Sequence, residues 1–252
     1  MSARPIDREY YDSSDYFEGS GAGHIVDVDS PFQRYRIDKV LGIHTPAPGD
    51  RVVDLGCGWG TFSFALADRG IEVVGVDFST RSIEFCEARA RERSGHVPTF
   101  VCADAGETGL EAGAYDVVIA ADLFEHLYPE DSARVAREAF RLLKPGGRFS
   151  TWTPHRGHLL EMLKHRNILL KRDVTHVDYK SMDRMRKLLE AAGFRIERAY
   201  YAESHVPGLR VVERFLQSWV PILRRRIAML GIKPGGAAAV DDATDADRRV
   251  DP

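Results

Sequence analysis

Cysteine is scarce in this chain, with three residues (Cys57, Cys86 and Cys102) among 252. Their spacing fits neither a metal site nor a disulfide framework, so they read as small buried residues in a reducing compartment. Long hydrophobic runs are missing too: no stretch reaches the roughly eighteen apolar residues of a membrane-spanning helix. The N-terminus is polar and carries early acids, unlike a secretory leader. Nor does one sign of charge prevail, because 35 Lys and Arg face 38 Asp and Glu for a formal net charge of -3. That balance, with no stacking-aromatic module beside the arginines, argues against nucleic acid as a partner. No His, Asp and Glu spacing stands out as a ligand set, so no metal is expected. What remains is a soluble, cytoplasmic, globular chain, 44% hydrophobic and long enough to bury a sizeable core.

The most informative stretch that is present runs Val52-Val53-Asp54-Leu55-Gly56-Cys57-Gly58-Trp59-Gly60. An apolar, β-branched run ends in alternating glycines, and a helical pattern begins at Thr61. Such glycines let backbone turn tightly and lie against a ligand where a Cβ would clash. The spacing G-x-G-x-G differs from the G-x-G-x-x-G of dinucleotide folds. A second run, Ile71 to Val76, ends in Asp77, about 20 residues beyond the first glycine, where an acid can accept from ribose hydroxyls. Two more runs, Thr99 to Ala103 and Tyr115 to Ala121, end in Asp104 and Asp122. Four carboxylates are therefore expected along the carboxyl edge of a parallel sheet, where open α/β folds bind ligands.

These residues resemble class I S-adenosylmethionine-dependent methyltransferases. Val52 to Gly60 is similar to the family's glycine loop, and Val74 to Ser79 to its ribose-binding segment. Cys102-Ala103-Asp104-Ala105 is similar to the adenine-binding segment, and Tyr115 to Leu127 to the fourth strand with its E-H-L follow-on. Leu142-Leu143-Lys144-Pro145-Gly146-Gly147-Arg148 resembles the turn before the fifth strand. The likeness runs from about residue 31 to 201. The competing reading is a dinucleotide-binding domain with a degenerate fingerprint.

The pattern predicts an α/β fold, a three-layer Rossmann-like sheet with helices on both faces. Strands are expected near 51–55, 72–76, 98–102, 115–120, 147–153 and 194–201. Helices are expected near 31–43, 60–69, 80–93, 130–143 and 181–192. Ser30 reads as an N-cap with Pro31 at the first helical position, and Gly193 as a C-cap. Residues 1–30 form an aromatic, polar leader, read either as a lid over the site or as a surface arm. Residues 31–203 form the S-adenosylmethionine-binding domain, with an acceptor-side helical insertion at 155–180. The resemblance implies an antiparallel seventh strand, yet no such strand stands out after Glu203. Residues 204–233 read instead as a helical extension, with a helix over 208–230 interrupted at Pro221, and 234–252 as a disordered tail.

The resemblance implies S-adenosylmethionine as cofactor, held by Asp54, Gly56, Cys57, Gly58, Gly60, Asp77, Phe78, Asp104, Ala105, Ala121 and Asp122. Asp54 would face the glycine turn and the methionine amino group, Asp77 the ribose and Asp104 the adenine amino group. Ala121 or Asp122 would meet the middle of the cofactor, with Cys57, Phe78 and Ala105 against its faces. Arg34 or Arg36 would approach the methionine carboxylate. The catalytic candidates are His126, His155 and His176, the last oriented by Asp178; each also reads as a structural histidine. The insertion resembles that of ubiquinone-biosynthesis O-methyltransferases, which implies a small or lipid-linked acceptor methylated on a hydroxyl. N- or C-methylation and a catalytically silent binding module are the alternatives. Basic amphipathic patterns over 155–180 and 219–233 fit peripheral contact with an anionic membrane or an ordinary helical cap.

Overall fold

The computed structural model describes residues 8–13, 30–155, 175–203, 207–216 and 219–235. Seven strands form one sheet: β1 Arg51–Leu55, β2 Glu72–Asp77, β3 Thr99–Cys102, β4 Tyr115–Ala121, β5 Leu143–Pro154, β6 Arg195–Ala202 and β7 Arg226–Ile232. Seven described helices accompany them: α1 Arg8–Asp12, α2 Pro31–Leu41, α3 Thr61–Ala67, α4 Thr80–Arg91, α5 Pro129–Leu142, α6 Met182–Ala191 and α7 Pro207–Leu216. The expected caps at Ser30 and Gly193 are present, and two more accompany them. Ser30 Oγ accepts from the Gln33 amide with Pro31 at the first turn, Ser79 and Ser181 cap α4 and α6 in the same way, and Gly193 follows α6 in the left-handed region at φ 102°.

Spatial order is β3-β2-β1-β4-β5-β7-β6. The first five strands in that order are parallel to their neighbours, and β7 is antiparallel to both β5 and β6. The chain reverses its winding between β1 and β4, which opens a crevice at their carboxyl ends.

Two cores flank the sheet. On one face, Val53, Leu55, Val118 and Phe149 pack with Val135, Ala139 and Leu142 of α5 and with Met185 and Leu189 of α6. On the other, Val52, Val73, Ile119 and Trp152 pack with Val40 and Leu41 of α2 and with Phe62 and Leu66 of α3. Each large apolar side chain so buried contributes about 1.5–3 kcal/mol. Side chains alternate between faces along β1 and β4, so neighbouring residues serve opposite cores.

The C-terminal reading needs correction. Residues 208–230 are not one interrupted helix: α7 stops at Leu216, a short turn of 3-10 helix covers Pro221–Leu223, and β7 follows. The sheet thus extends past residue 203 to Ile232. Ile227, Ala228 and Met229 are fully buried, since β7 lies between two strands and beneath helices on both faces. A strand buried on both sides loses the period-2 signal and reads as a continuous apolar run, and three preceding arginines completed the semblance of a basic amphipathic helix. Cys102 is also exposed, not buried, because it ends the edge strand β3. The insertion lies outside the described residues from 156 to 174, as do residues 1–7 and 14–29 of the leader and the tail from 236 onward.

Candidate active site

The glycine loop leaves β1 into a tight turn. The Gly56 and Cys57 amides both donate to the Val76 carbonyl (2.8 and 3.0 Å), which ties the loop to the end of β2. Gly56, Gly58 and Gly60 have φ of 69°, 52° and 74°, in the left-handed region. A Cβ at Gly56 would stand 2.8 Å from Leu123 Cδ1 and one at Gly60 2.8 Å from Phe64 Cε2, whereas at Gly58 it would meet nothing within 4 Å. Two glycines are therefore demanded by the chain's own packing, and Gly58 lies beside open space.

The four strand-ending acids do come to one edge of the sheet, in four different settings. Asp54 is 1% exposed and accepts from Ser63 Oγ at 2.6 Å, so it braces α3 under the loop. Burial pushes its pKa up to about 6 against the lowering effect of Ser63. Asp77 accepts from the Gly58 amide and the Ser79 amide, both at 2.9 Å, and burial again raises its pKa. Asp104 is exposed, accepts from the Gly106 amide at 2.6 Å and pairs with Arg134 at 3.3 Å. Phe78 and Ala105 are half-buried beside these acids. Cys57 is 5% exposed and, like Cys86 beside it, a free thiol.

Asp122 carries the strongest charge constellation. Its backbone is left-handed at φ 53°, and its amide donates to the Trp152 carbonyl at 2.7 Å. Arg36 of α2 donates to one carboxylate oxygen (2.6 Å) and Arg226 of β7 to the other. Burial alone would raise this acid, but the Arg226 and Arg36 guanidiniums outweigh it and hold its pKa down at about 2. Arg36 thus reaches the sheet edge, where its partner is Asp122, and the neighbouring Ala121 is buried.

The histidines divide between two places. His155, at the end of β5, has Nδ1 3.1 Å from the Arg224 carbonyl and its ring against Tyr201; burial lowers its pKa. His126 and His176 meet each other, ring centroids 4.8 Å apart and edge to face. His126 Nδ1 is 3.1 Å from both the Thr175 carbonyl and the Tyr11 hydroxyl. His176 Nδ1 is 2.8 Å from the Tyr179 hydroxyl. Asp178 does not orient His176, because it is held by Lys180 (3.0 Å) and Arg184 (2.9 Å).

Five participants were not among the site residues expected from the sequence. Glu125 is 1% exposed; burial and the neighbouring Asp122 push its pKa up to about 8. Lys180 is 2% exposed and donates to the Phe124, Leu127 and Asp178 carbonyls at 2.9, 3.4 and 3.1 Å, pinning the 3-10 turn Phe124–His126. Arg226 lay in a supposed helix. Tyr11 of α1 touches both Phe78 (ring centroids 5.2 Å apart) and His126, and Asp12 accepts from Ser79 Oγ at 2.6 Å. The E-H pair and the aromatic leader were visible, but their convergence on residues 175–180 was not.

Residues 52–147 match a family model described as a methyltransferase domain. That stretch is a methyltransferase domain. The ubiquinone biosynthesis O-methyltransferase of Burkholderia thailandensis is 35% identical over 107 residues, 42% of this chain and 45% of that protein. The same-named protein of Ralstonia nicotianae is 35% identical over 111 residues, 44% of this chain and 46% of its own. The chain therefore spans under half the length of these curated relatives. Magnesium protoporphyrin IX methyltransferase from Synechocystis PCC 6803, solved with bound SAH, superposes on this methyltransferase domain and its flanks with a TM-score of 0.63 at 22% identity, covering 90% of this chain and 97% of that one. The (4+2)-cyclase SpnF gives a TM-score of 0.63 at 21% identity, covering 83% and 85%. At such identities the likeness is one of fold.

Proposed function

We propose that this chain transfers a methyl group from S-adenosylmethionine to a hydroxyl of a small or lipid-linked metabolite. The observation that carries the reading is the crevice at the β1/β4 reversal, where the glycine loop, Asp54, Asp77 and Asp122 converge on space left open beside Gly58. In this reading Asp77 meets the ribose, Asp104 and Ala105 the adenine, and Phe78 a face of the cofactor. Asp54 sits beneath the methionine end, where a cationic amino group suits a buried acid. Oxygen as the acceptor atom is favoured by the O-methyltransferase activity for which the Burkholderia and Ralstonia proteins are named.

Methyl transfer from a sulfonium is an in-line displacement, so most of the work is alignment, worth several kcal/mol. Titration calorimetry with S-adenosylmethionine, SAH and NAD tests the donor. Tight binding of the first two and none of NAD is expected; NAD binding alone would sink the reading. Labelled-methyl transfer to hydroxylated aromatic acceptors then tests the acceptor class. The (4+2)-cyclase shows that this fold is not confined to methyl transfer, and the same assay separates a second reading, a module that binds the donor without turnover.

Peripheral membrane contact belongs to the same proposal in narrower form. Residues 226–232 are a buried strand, which leaves Trp219 (84% exposed), Phe215, Leu216 and Ile222 as exposed apolar groups near Arg224. Co-sedimentation with vesicles containing anionic lipid, but not with neutral ones, is the expected result.

A further inference from the structure

We propose that Glu125, His126 and His176 form a binding site for a divalent transition-metal ion at the acceptor side of the crevice. One ligand atom from each of the three lies within 4.8 Å of the other two. Ligands on a single ion at about 2.1 Å stand roughly 3 to 4 Å apart, so small side-chain rotations close the set. The backbone holds the parts together: the Val177 and Asp178 amides donate to the Glu125 carbonyl at 2.9 and 3.2 Å, and buried Lys180 fixes the turn that carries Glu125 and His126.

Two further observations point to a ligand. In each imidazole, Nδ1 already has an oxygen neighbour, Thr175 O for His126 and Tyr179 OH for His176. Oxygen contacts of that kind orient metal-binding histidines. Glu125 is 1% exposed and makes no ion pair among the described residues. Its carboxylate takes the Thr153 hydroxyl at 2.9 Å and its own amide. A buried carboxylate beside two imidazoles supplies the anionic member that such a ligand set needs.

Two imidazoles and one carboxylate suit zinc, manganese, iron or cobalt, whereas magnesium and calcium prefer all-oxygen shells. Three protein ligands leave positions open for water or a substrate oxygen. The ion's role, unlike the site itself, rests on the methyl-transfer reading. It would hold an acceptor hydroxyl beside the donor and make its proton easier to lose. The hydroxyl proton passes to water, an oxygen lone pair forms the new C–O bond, and the C–S bonding pair returns to sulfur, leaving a neutral thioether.

The test uses the purified full chain, stripped of metal and titrated with Co2+, whose visible absorption reports coordination. One equivalent is expected to bind with bands typical of nitrogen and oxygen ligands, and His176→Ala and Glu125→Gln to weaken binding at least tenfold. His176 is only half-buried, so its variant keeps the test open if the buried Glu125 variant does not fold; circular dichroism checks both. Absence of Co2+ and Zn2+ binding, or equal binding by wild type and a folded variant, overturns the site. If Co2+ binds with this variant pattern while S-adenosylmethionine does not bind, the site stands and the methyl-transfer reading falls.

Discussion

Arg226, the first residue of β7, donates to the carboxylate of Asp122 at the tip of β4. Arg36 holds the other oxygen of the same carboxylate. Side-chain exposure is 13% for Arg36, 19% for Asp122 and 22% for Arg226, so the group is sheltered from screening. One acid thus joins α2, β4 and the last strand of the sheet at the rim of the crevice. Asp122→Asn keeps the shape and tolerates the left-handed backbone, but leaves two guanidiniums facing a neutral amide. A loss of about 3 kcal/mol is expected, within the range for breaking a buried pair. The denaturant midpoint measures it; a change below ~1 kcal/mol would mean that the two arginines find other partners.

Acid should expose the same group. Asp122 and Glu138 are both held near a pKa of about 2: burial opposes this in each, but the arginines beside Asp122, and Arg141 and Thr108 beside Glu138, prevail. A depressed folded-state pKa means the unfolded chain binds the proton first, so stability falls as pH drops. The loss begins near the unfolded value of about 4 and continues to about 2. Each group contributes about 2–3 kcal/mol across that window. Thermal melts between pH 5 and 2 should show it, and Glu138→Gln should flatten the slope. A slope equal to wild type would remove Glu138 from the account.

Much of the fold was legible because local signals agreed with one another. Six strands and their helices announced themselves through apolar runs, caps and glycines, as at Ser30 and Gly193. The seventh strand was not legible: Arg226–Ile232 has no polar alternation, since both of its faces are covered. The gathering of four acids at one sheet edge was legible for a related reason, each standing at the end of its own strand. The cluster around Glu125 was not. Glu125 and His126 come from one segment, His176 and Lys180 from another about 50 residues on, and only the folded chain brings them together.

Because β7 is central, its interior should respond like core. Met229 is fully buried against the α6 side of the sheet. Met229→Ala removes three heavy atoms and leaves a cavity, with an expected cost of about 2–4 kcal/mol. A methionine on a surface helix would lose almost nothing. Equilibrium urea unfolding distinguishes the two, and a cost under ~0.5 kcal/mol would contradict a buried seventh strand.

Asp54 links the donor site to pH in the opposite sense from Asp122. Burial raises its pKa to about 6, against Ser63, which lowers it. A raised acid destabilises the folded chain once the unfolded form ionises, so its cost grows from about pH 4 to pH 6 and is constant above. Asp54→Asn should therefore stabilise the free protein at pH 8, by up to about 3 kcal/mol, and leave it little changed at pH 4. A cationic amino group docked near Asp54 favours the ionised form, so wild-type affinity for S-adenosylmethionine should rise between pH 5 and 7 as the acid loses its proton. Calorimetry in buffers of different ionisation enthalpy would count protons released on binding below pH 6. In the Asn variant both the pH dependence and the proton release should disappear, with affinity at pH 8 reduced at least tenfold. If the variant binds as tightly as wild type at pH 8, Asp54 braces Ser63 and has no part in holding the donor.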